Sequence, residues 1–220
     1  MAKEVLESQP NGISLTSERA EKYRIVIAQR QKMTVILENV HDPHNIGAVI
    51  RSCDAIGISE VFILYTEHSY NFLTQKVGKN AASGARKWVK AHYFGQLDEC
   101  FDAVRSKYPH IYGTHLNEKS SSLYDLDLTQ PVALMFGNEQ HGISEAALAR
   151  LDGNFIIPQF GMVQSLNISV ACAVSCFEAS RQRHQAGMYS QEFDPHDHQH
   201  SAMFESYINK HFVYKNKKEK

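Results

Sequence analysis

Residues 34–65 read TVILENVHDPHNIGAVIRSCDAIGISEVFILY, and the fold class turns on how this stretch is parsed. Val35-Ile36-Leu37 is a short aliphatic run that predicts a buried strand. His41-Asp42-Pro43-His44-Asn45 predicts a loop, with Asn45 placed to cap the helix that follows. Ile46, Val49, Ile50 and Cys53 then recur at helical spacing, and Gly57 suits the position just past the helix end. Val61 to Tyr65 is a second apolar run. Strand, loop, amphipathic helix and strand in that order form a βαβ unit, in which the two strands pair in parallel.

The alternation continues along the chain. Further strands are predicted at Val89–Phe94, Ile111–Leu116, Val132–Phe136 and Phe155–Ile157, and further helices at Leu97–Lys107, Ser144–Leu151 and Asn167–His184. The expectation is an α/β protein with a mostly parallel sheet flanked by helices. Ahead of this region, the first ten or so residues, ending in Pro10-Asn11-Gly12, read as a tail. A helix is expected after Ser17, with Ala20, Tyr23 and Ile27 inside and Arg19, Lys22, Arg24, Arg30 and Lys32 making it basic. The chain thus divides into a tail with a basic helix (1–32), a principal domain (33–189) and a C-terminal extension (190–220).

Composition excludes several function classes. With 43% hydrophobic and 21% charged residues among 220, the chain is neither disordered nor fibrous. Its longest apolar runs are too short to cross a bilayer, and Met1-Ala2-Lys3-Glu4 opens no secretory leader. Four cysteines are too few for a disulfide framework, so a reducing cytoplasm is expected. A net charge of −1 gives no global attraction to nucleic acid, so any such attraction must be local. From His68 to Leu97 there is no acidic residue, while Lys76, Lys79, Arg86, Lys87 and Lys90 interleave with Trp88 and Tyr93. That pattern suits a phosphate backbone with exposed bases, and equally a solvated face over core aromatics. Arg19, Arg30, Lys79, Arg86 and Lys87 are the candidate RNA contacts. The lysines of Tyr214–Lys220 read as a fraying tail. His196-Asp197-His198-Gln199-His200 lacks a scaffold for a metal, and Cys172 with Cys176, one helical turn apart, read as packing; no metal is expected.

Three strand–loop–helix junctions carry the residues suited to chemistry. In the first, Asn45 opens a helix whose polar face bears Gly47, Arg51 and Asp54, near the strand end where α/β sheets hold ligands. The second, Phe136 to Ser144, places Glu139 in a tight turn between Gly137 and Gly142. The third, Ile156 to Asn167, offers Ser165 and Asn167, of which helix capping accounts for only one. Each also has a plain structural reading as a cap or turn. No Gly-x-Gly-x-x-Gly follows the first strand, which excludes a conventional dinucleotide-binding dehydrogenase.

Taken in order, Asn45-x-Gly47-x3-Arg51, Phe136-Gly137-x-Glu139-x2-Gly142-Ile143-Ser144 and Ile157-Pro158-x2-Gly161-x3-Ser165-Leu166-Asn167 resemble the three motifs of the SpoU/TrmH ribose methyltransferases of the SPOUT class. The match spans roughly Thr34 to Tyr189. Within the family it is most similar to the enzymes that methylate guanosine 18 of tRNA. The resemblance rests there on Asn39 to Asn45, Thr114-His115-Leu116, Gly161 to Asn167, Arg181-Gln182-Arg183 and Ala186-Gly187-Met188-Tyr189. It implies a SPOUT fold with a C-terminal trefoil knot, S-adenosylmethionine as cofactor, a tRNA substrate and a homodimer. Carried over by position, Thr114, Leu116, Gly137, Ile157 and Leu166 would line the cofactor, and Asn45, Arg51, Glu139, Ser165 and Asn167 would serve catalysis. A SpoU enzyme for ribosomal RNA or another tRNA nucleotide, and a noncatalytic RNA-binding homologue, are the alternatives. The resemblance implies Arg51 as the general base; because a guanidinium gives up its proton only far above neutral pH, a phosphate clamp that also stabilises charge developing on the 2'-oxygen is the alternative, and the proton role is left open.

Overall fold

A computed structural model describes residues 5–8, 14–67, 84–163 and 165–216. In chain order the elements are β1 (Val5–Ser8), β2 (Ser14–Thr16), α1 (Ser17–Ala28), β3 (Met33–Glu38), α2 (Pro43–Ala55), β4 (Glu60–Leu64), β5 (Lys90–Phe94), α3 (Leu97–Arg105), β6 (His110–Thr114), β7 (Ser121–Ser122), β8 (Val132–Phe136), α4 (Glu145–Leu148), β9 (Gly153–Ile156), α5 (Ile168–Gln185) and α6 (His198–Asn216). They fall into two compact units, residues 31–186 and residues 1–30 together with 187–220.

The larger unit is built on a seven-stranded sheet in the order β5-β4-β3-β8-β6-β9-β7, with every pairing parallel. Parallel strands are buried on both faces, which explains why β3 and β8 read as unbroken apolar runs and not as alternating ones. Within β3, Met33, Val35 and Leu37 join one core, with Ile46, Val49, Ile50 and Cys53 of α2 and Ile168, Cys172, Cys176 and Ala179 of α5. Ile36 points the other way, into a core with Cys100, Phe101 and Val104 of α3 and Ala147 of α4. The expected α/β architecture is therefore observed.

Local chemistry shifts several boundaries. The Asp42 side chain accepts the His44 amide proton at 2.8 Å, so Asp42 and not Asn45 is the N-cap of α2. Pro43 follows at the first helical position, where its fixed φ is already helical and its missing N–H is not needed. Gly57 sits past the helix end at φ 89°, as expected. Helix α4 is a single turn, where Ser144 to Leu151 had been expected.

Arg183 is a fully buried side chain at the far end of α5. It donates to the carbonyls of Leu128 (2.8 Å), Gln130 (2.7 Å) and Lys32 (3.2 Å), and to Gln31 Oε1 (3.3 Å). A guanidinium is taken out of water only where its fork is filled in this way.

In the smaller unit Val5–Ser8, expected within a tail, forms β1, which pairs antiparallel with β2; the rest of the first thirteen residues lies outside the described residues. Thr16, one residue earlier than expected, caps α1 by accepting from the Arg19 amide. In the C-terminal extension α6 runs 19 residues, His198–Asn216, and its Tyr207 and His211 are buried; residues 217–220 of the expected tail lie outside the described residues. Tyr23 Oη lies 3.0 Å from His211 Nδ1 and meets Tyr207 edge-on, which ties α1 to α6. Among the described residues no helix is long and apolar enough to cross a membrane.

Candidate active site

Three loops leave the carboxyl ends of adjacent strands: 115–120 after β6, 137–144 after β8 and 157–167 after β9. Together they enclose a cleft of about 570 Å³, which is in the range of small-molecule sites. All five residues expected at a cofactor, Thr114, Leu116, Gly137, Ile157 and Leu166, line it, and so do Glu139 and Ser165.

The second loop is held by backbone. Asn138 and Gly142 exchange both peptide hydrogen bonds, at 3.0 and 2.8 Å, closing a tight turn around Glu139. Gly142 completes it at φ 70°. A Cβ on Gly137 would lie 2.1 Å from the Gly142 carbonyl and 2.2 Å from the Ile143 nitrogen, so no other residue fits there without moving the turn. The loop is also anchored from below: the carboxylate of Glu38, at the end of β3, accepts from the Ser144 amide (2.9 Å) and hydroxyl (2.7 Å). Ser144 in turn caps α4. Asn138 Nδ2 donates to the Asn39 carbonyl at 2.9 Å. Asn39 adopts φ 53° and clasps Thr66 by two hydrogen bonds. The sequence reading passed over Glu38 and Asn138; a carboxylate closing a fully buried strand was the available signal for Glu38.

Hydrogen bonds then join all three motifs. Asn45 Nδ2 donates to Glu139 Oε1 at 2.6 Å, and Asn167 Nδ2 donates to Asn45 Oδ1 at 3.2 Å. Because Asp42 caps α2, the Asn45 side chain is released to bridge Glu139 and Asn167. Asn167 does both jobs, since its Oδ1 also caps α5 through the Ser169 amide at 2.9 Å. Ser165 is exposed at the cleft. Arg51 is exposed on α2 and makes no hydrogen bond or ion pair among the described residues.

The candidate RNA contacts are divided between the two units. Arg86 and Lys87 lie on a short 3-10 turn before β5 in the larger unit. Arg19 and Arg30 lie in the smaller unit, where the Arg30 guanidinium donates to Tyr207 Oη at 3.0 Å. Lys79 lies outside the described residues.

Residues 32–177 match the SpoU rRNA methylase family. The chain belongs to that family. It is 41% identical over 182 residues to a tRNA (guanosine(18)-2'-O)-methyltransferase of Thermus thermophilus, covering 82% of this chain and 91% of that one. Among solved structures, the A. aeolicus TrmH/SpoU tRNA modifying enzyme superposes with a TM-score of 0.75 at 30% identity, covering 87% of this chain and 96% of the other. The SpoU methyltransferase AviRb from Streptomyces viridochromogenes, solved in complex with AdoMet, superposes with a TM-score of 0.61 at 29% identity over 70% of this chain and 59% of its own. Asn45, Glu139 and Asn167, which these hydrogen bonds join, all lie within the matched residues.

Proposed function

We propose that this chain methylates the ribose 2'-hydroxyl of a D-loop guanosine, position 18, in tRNA, with S-adenosylmethionine as methyl donor. The observation that carries the reading is the hydrogen-bonded chain Glu139–Asn45–Asn167, which fixes three motifs from distant parts of the sequence at the mouth of the cleft. The extent of similarity to the T. thermophilus tRNA enzyme, 91% of its length, supports tRNA as the substrate.

The cleft fits the cofactor. Leu116, Ile157, Leu166 and Ala171 offer apolar walls for a purine, while backbone brought close at Gly137 offers polar groups without intervening side chains. The cofactor supplies an electrophilic methyl with a good leaving group, so the protein's share is alignment, water exclusion and handling of one proton. Glu139 and Asn45, locked to each other, orient the ribose at the cleft edge. Ser165 faces the same space. Arg51, unpaired among the described residues, is available to grip a phosphate bidentately and to stabilise negative charge growing on the 2'-oxygen. No metal takes part in this scheme. The loops around the cleft belong to the expected trefoil knot.

A homodimer is part of the same reading. Phe160 and Met162 beside the cleft are each 99% exposed, and Phe177 on α5 is 55% exposed. Apolar groups so placed are suited to cover by a second copy. Arg86 and Lys87 are the larger unit's described candidates for tRNA phosphates. A tRNA substrate places the protein in the cytoplasm.

The test is incubation with radiolabelled S-adenosylmethionine and unmodified tRNA or ribosomal RNA, followed by mapping of the label. Label on D-loop guanosine, abolished in Arg51→Ala, is expected. Label confined to ribosomal RNA would refute the substrate. In Arg51→Lys, charge remains without the fork, and full activity would refute the bidentate clamp.

A further inference from the structure

Behind Arg51, on the buried side of α2, lies a group the methyl-transfer scheme leaves unused. Cys53 points into the core from α2, and Cys172 and Cys176 do so from successive turns of α5. All three are fully buried. Their sulfur atoms lie within 4.8 Å of one another, with Cys172 and Cys176 at 3.8 Å. Among the described residues this is the one group of three ligand-type side chains so gathered.

We propose that Cys53, Cys172 and Cys176 form a three-coordinate sulfur site for a trivalent thiophilic ion of the arsenic(III) class. Geometry sets the coordination number. Three-coordinate arsenic(III) carries a lone pair and is pyramidal, so bonds of about 2.3 Å hold its three sulfurs about 3.4 Å apart; the Cys172–Cys176 pair is near that at 3.8 Å, and the other separations, all within 4.8 Å, close by about 1.4 Å at most. Charge selects the ion. Three thiolates leave a net −2 on a monovalent ion and −1 on a divalent one, and an unpaired charge in an apolar core is costly. A trivalent ion leaves none. Zinc also seeks a fourth ligand, and the described residues offer no fourth in this group.

The reaction balances without an oxidant. Neutral arsenous acid, As(OH)3, exchanges three As–O bonds for three As–S bonds. The three thiol protons leave with the three hydroxides as water, and arsenic stays at +3. The adduct bolts α2 to α5, whose first turns carry Asn45 and follow Asn167. Entry requires local separation of these helices, so loading is slow.

The experiment treats the reduced full-length protein with sodium arsenite under anaerobic conditions. Intact mass is expected to show one arsenic per chain with loss of three hydrogens, and X-ray absorption three sulfur neighbours. The thermal midpoint is expected to rise, because the ligand binds the folded state. Cys100 sits in the other core, where burial and then Glu38 push its thiol up to about 12, and Cys100→Ala is expected to bind as wild type does. Cys172→Ala is expected to lose the three-sulfur signature and bind at least tenfold more weakly. The wild-type absorption spectrum decides the matter even where that variant does not fold. No adduct, fewer than three sulfurs, a falling midpoint, or undiminished binding by folded Cys172→Ala would each overturn the proposal. None of these readouts depends on methyl transfer.

Discussion

Replacing Gly137 by alanine tests whether the backbone turn at Glu139 is what shapes the cleft. The added Cβ would meet the Gly142 carbonyl at 2.1 Å, against an ordinary contact of 3.4 Å or more. Something must therefore retreat by 1.3 Å (3.4 minus 2.1), and the obstacle is main chain, which cannot rotate aside as a side-chain tip does. The movement strains the Asn138–Gly142 pair of hydrogen bonds and the Glu38–Ser144 contacts below it. With about 1 kcal/mol per neutral hydrogen bond and about 2 for one to a charged group, a loss of about 2–4 kcal/mol is expected if the turn opens. For a unit of this size that lowers the melting midpoint by about 5–12 °C. Cofactor affinity, measured by calorimetry, is expected to fall at least tenfold, because Gly137 and Glu139 line the cleft. Two companion variants calibrate the result. Gly142→Ala meets no atom within 4 Å but keeps φ 70°, a strain of about 1 kcal/mol. Gly161→Ala meets nothing and has no such strain, so its stability should be unchanged. If Gly137→Ala melts and binds like Gly161→Ala, the turn is softer than its geometry indicates and does not shape the cleft.

Three further outcomes follow from the same structure. Glu38→Gln keeps the shape but turns an NH2 toward the Ser144 donors, so urea unfolding should show a loss of about 1–2 kcal/mol, and weaker cofactor binding should accompany it. Unchanged cofactor affinity would mean the loop holds itself. Arg183→Met strips partners from the carbonyls of Leu128, Gln130 and Lys32 and should cost about 3–5 kcal/mol, whereas Arg183→Lys, lacking the fork, should recover less than half of it. Burial raises the Glu60 pKa, but Lys107, Tyr108 and His92 outweigh it and hold the carboxyl below its ordinary value. A depressed carboxyl stabilises the fold at pH above its unfolded value, near 4.3, and that contribution disappears as pH falls through the lower folded value. Stability measured from pH 6 to 3 should therefore fall less steeply in Glu60→Gln than in wild type, and parallel curves would remove Glu60 from the acid response.

The larger unit was legible because its central strands β3, β4 and β8 are buried on both faces and punctuated by turn residues. Val132–Phe136 is one apolar run because no side of β8 meets water, and the loop after it announces itself with two glycines. The cleft residues proposed to hold the cofactor were legible only through the resemblance; no rule of spacing would select Thr114 or Leu116. Asn45 shows how a local rule can mislead. Read alone it is a good helix cap, yet Asp42, three residues earlier and followed by Pro43, satisfies the capping rule better, since aspartate takes the amide and proline tolerates the first helical position. The consequence is functional, for Asn45 Oδ1, not engaged by a helix amide, accepts from Asn167 while its Nδ2 donates to Glu139 at 2.6 Å. The terminal segments were hidden for a different reason. Helix α6 has its buried residues, Tyr207, His211 and Phe212, spaced among histidine, lysine and asparagine, so its mean hydropathy gives little sign of a buried face. Tyr23 and His211 are 188 residues apart. Partnership at that separation leaves no periodic trace in either segment, and a strand as short as β1 is specified by its pairing with β2 and not by its own composition.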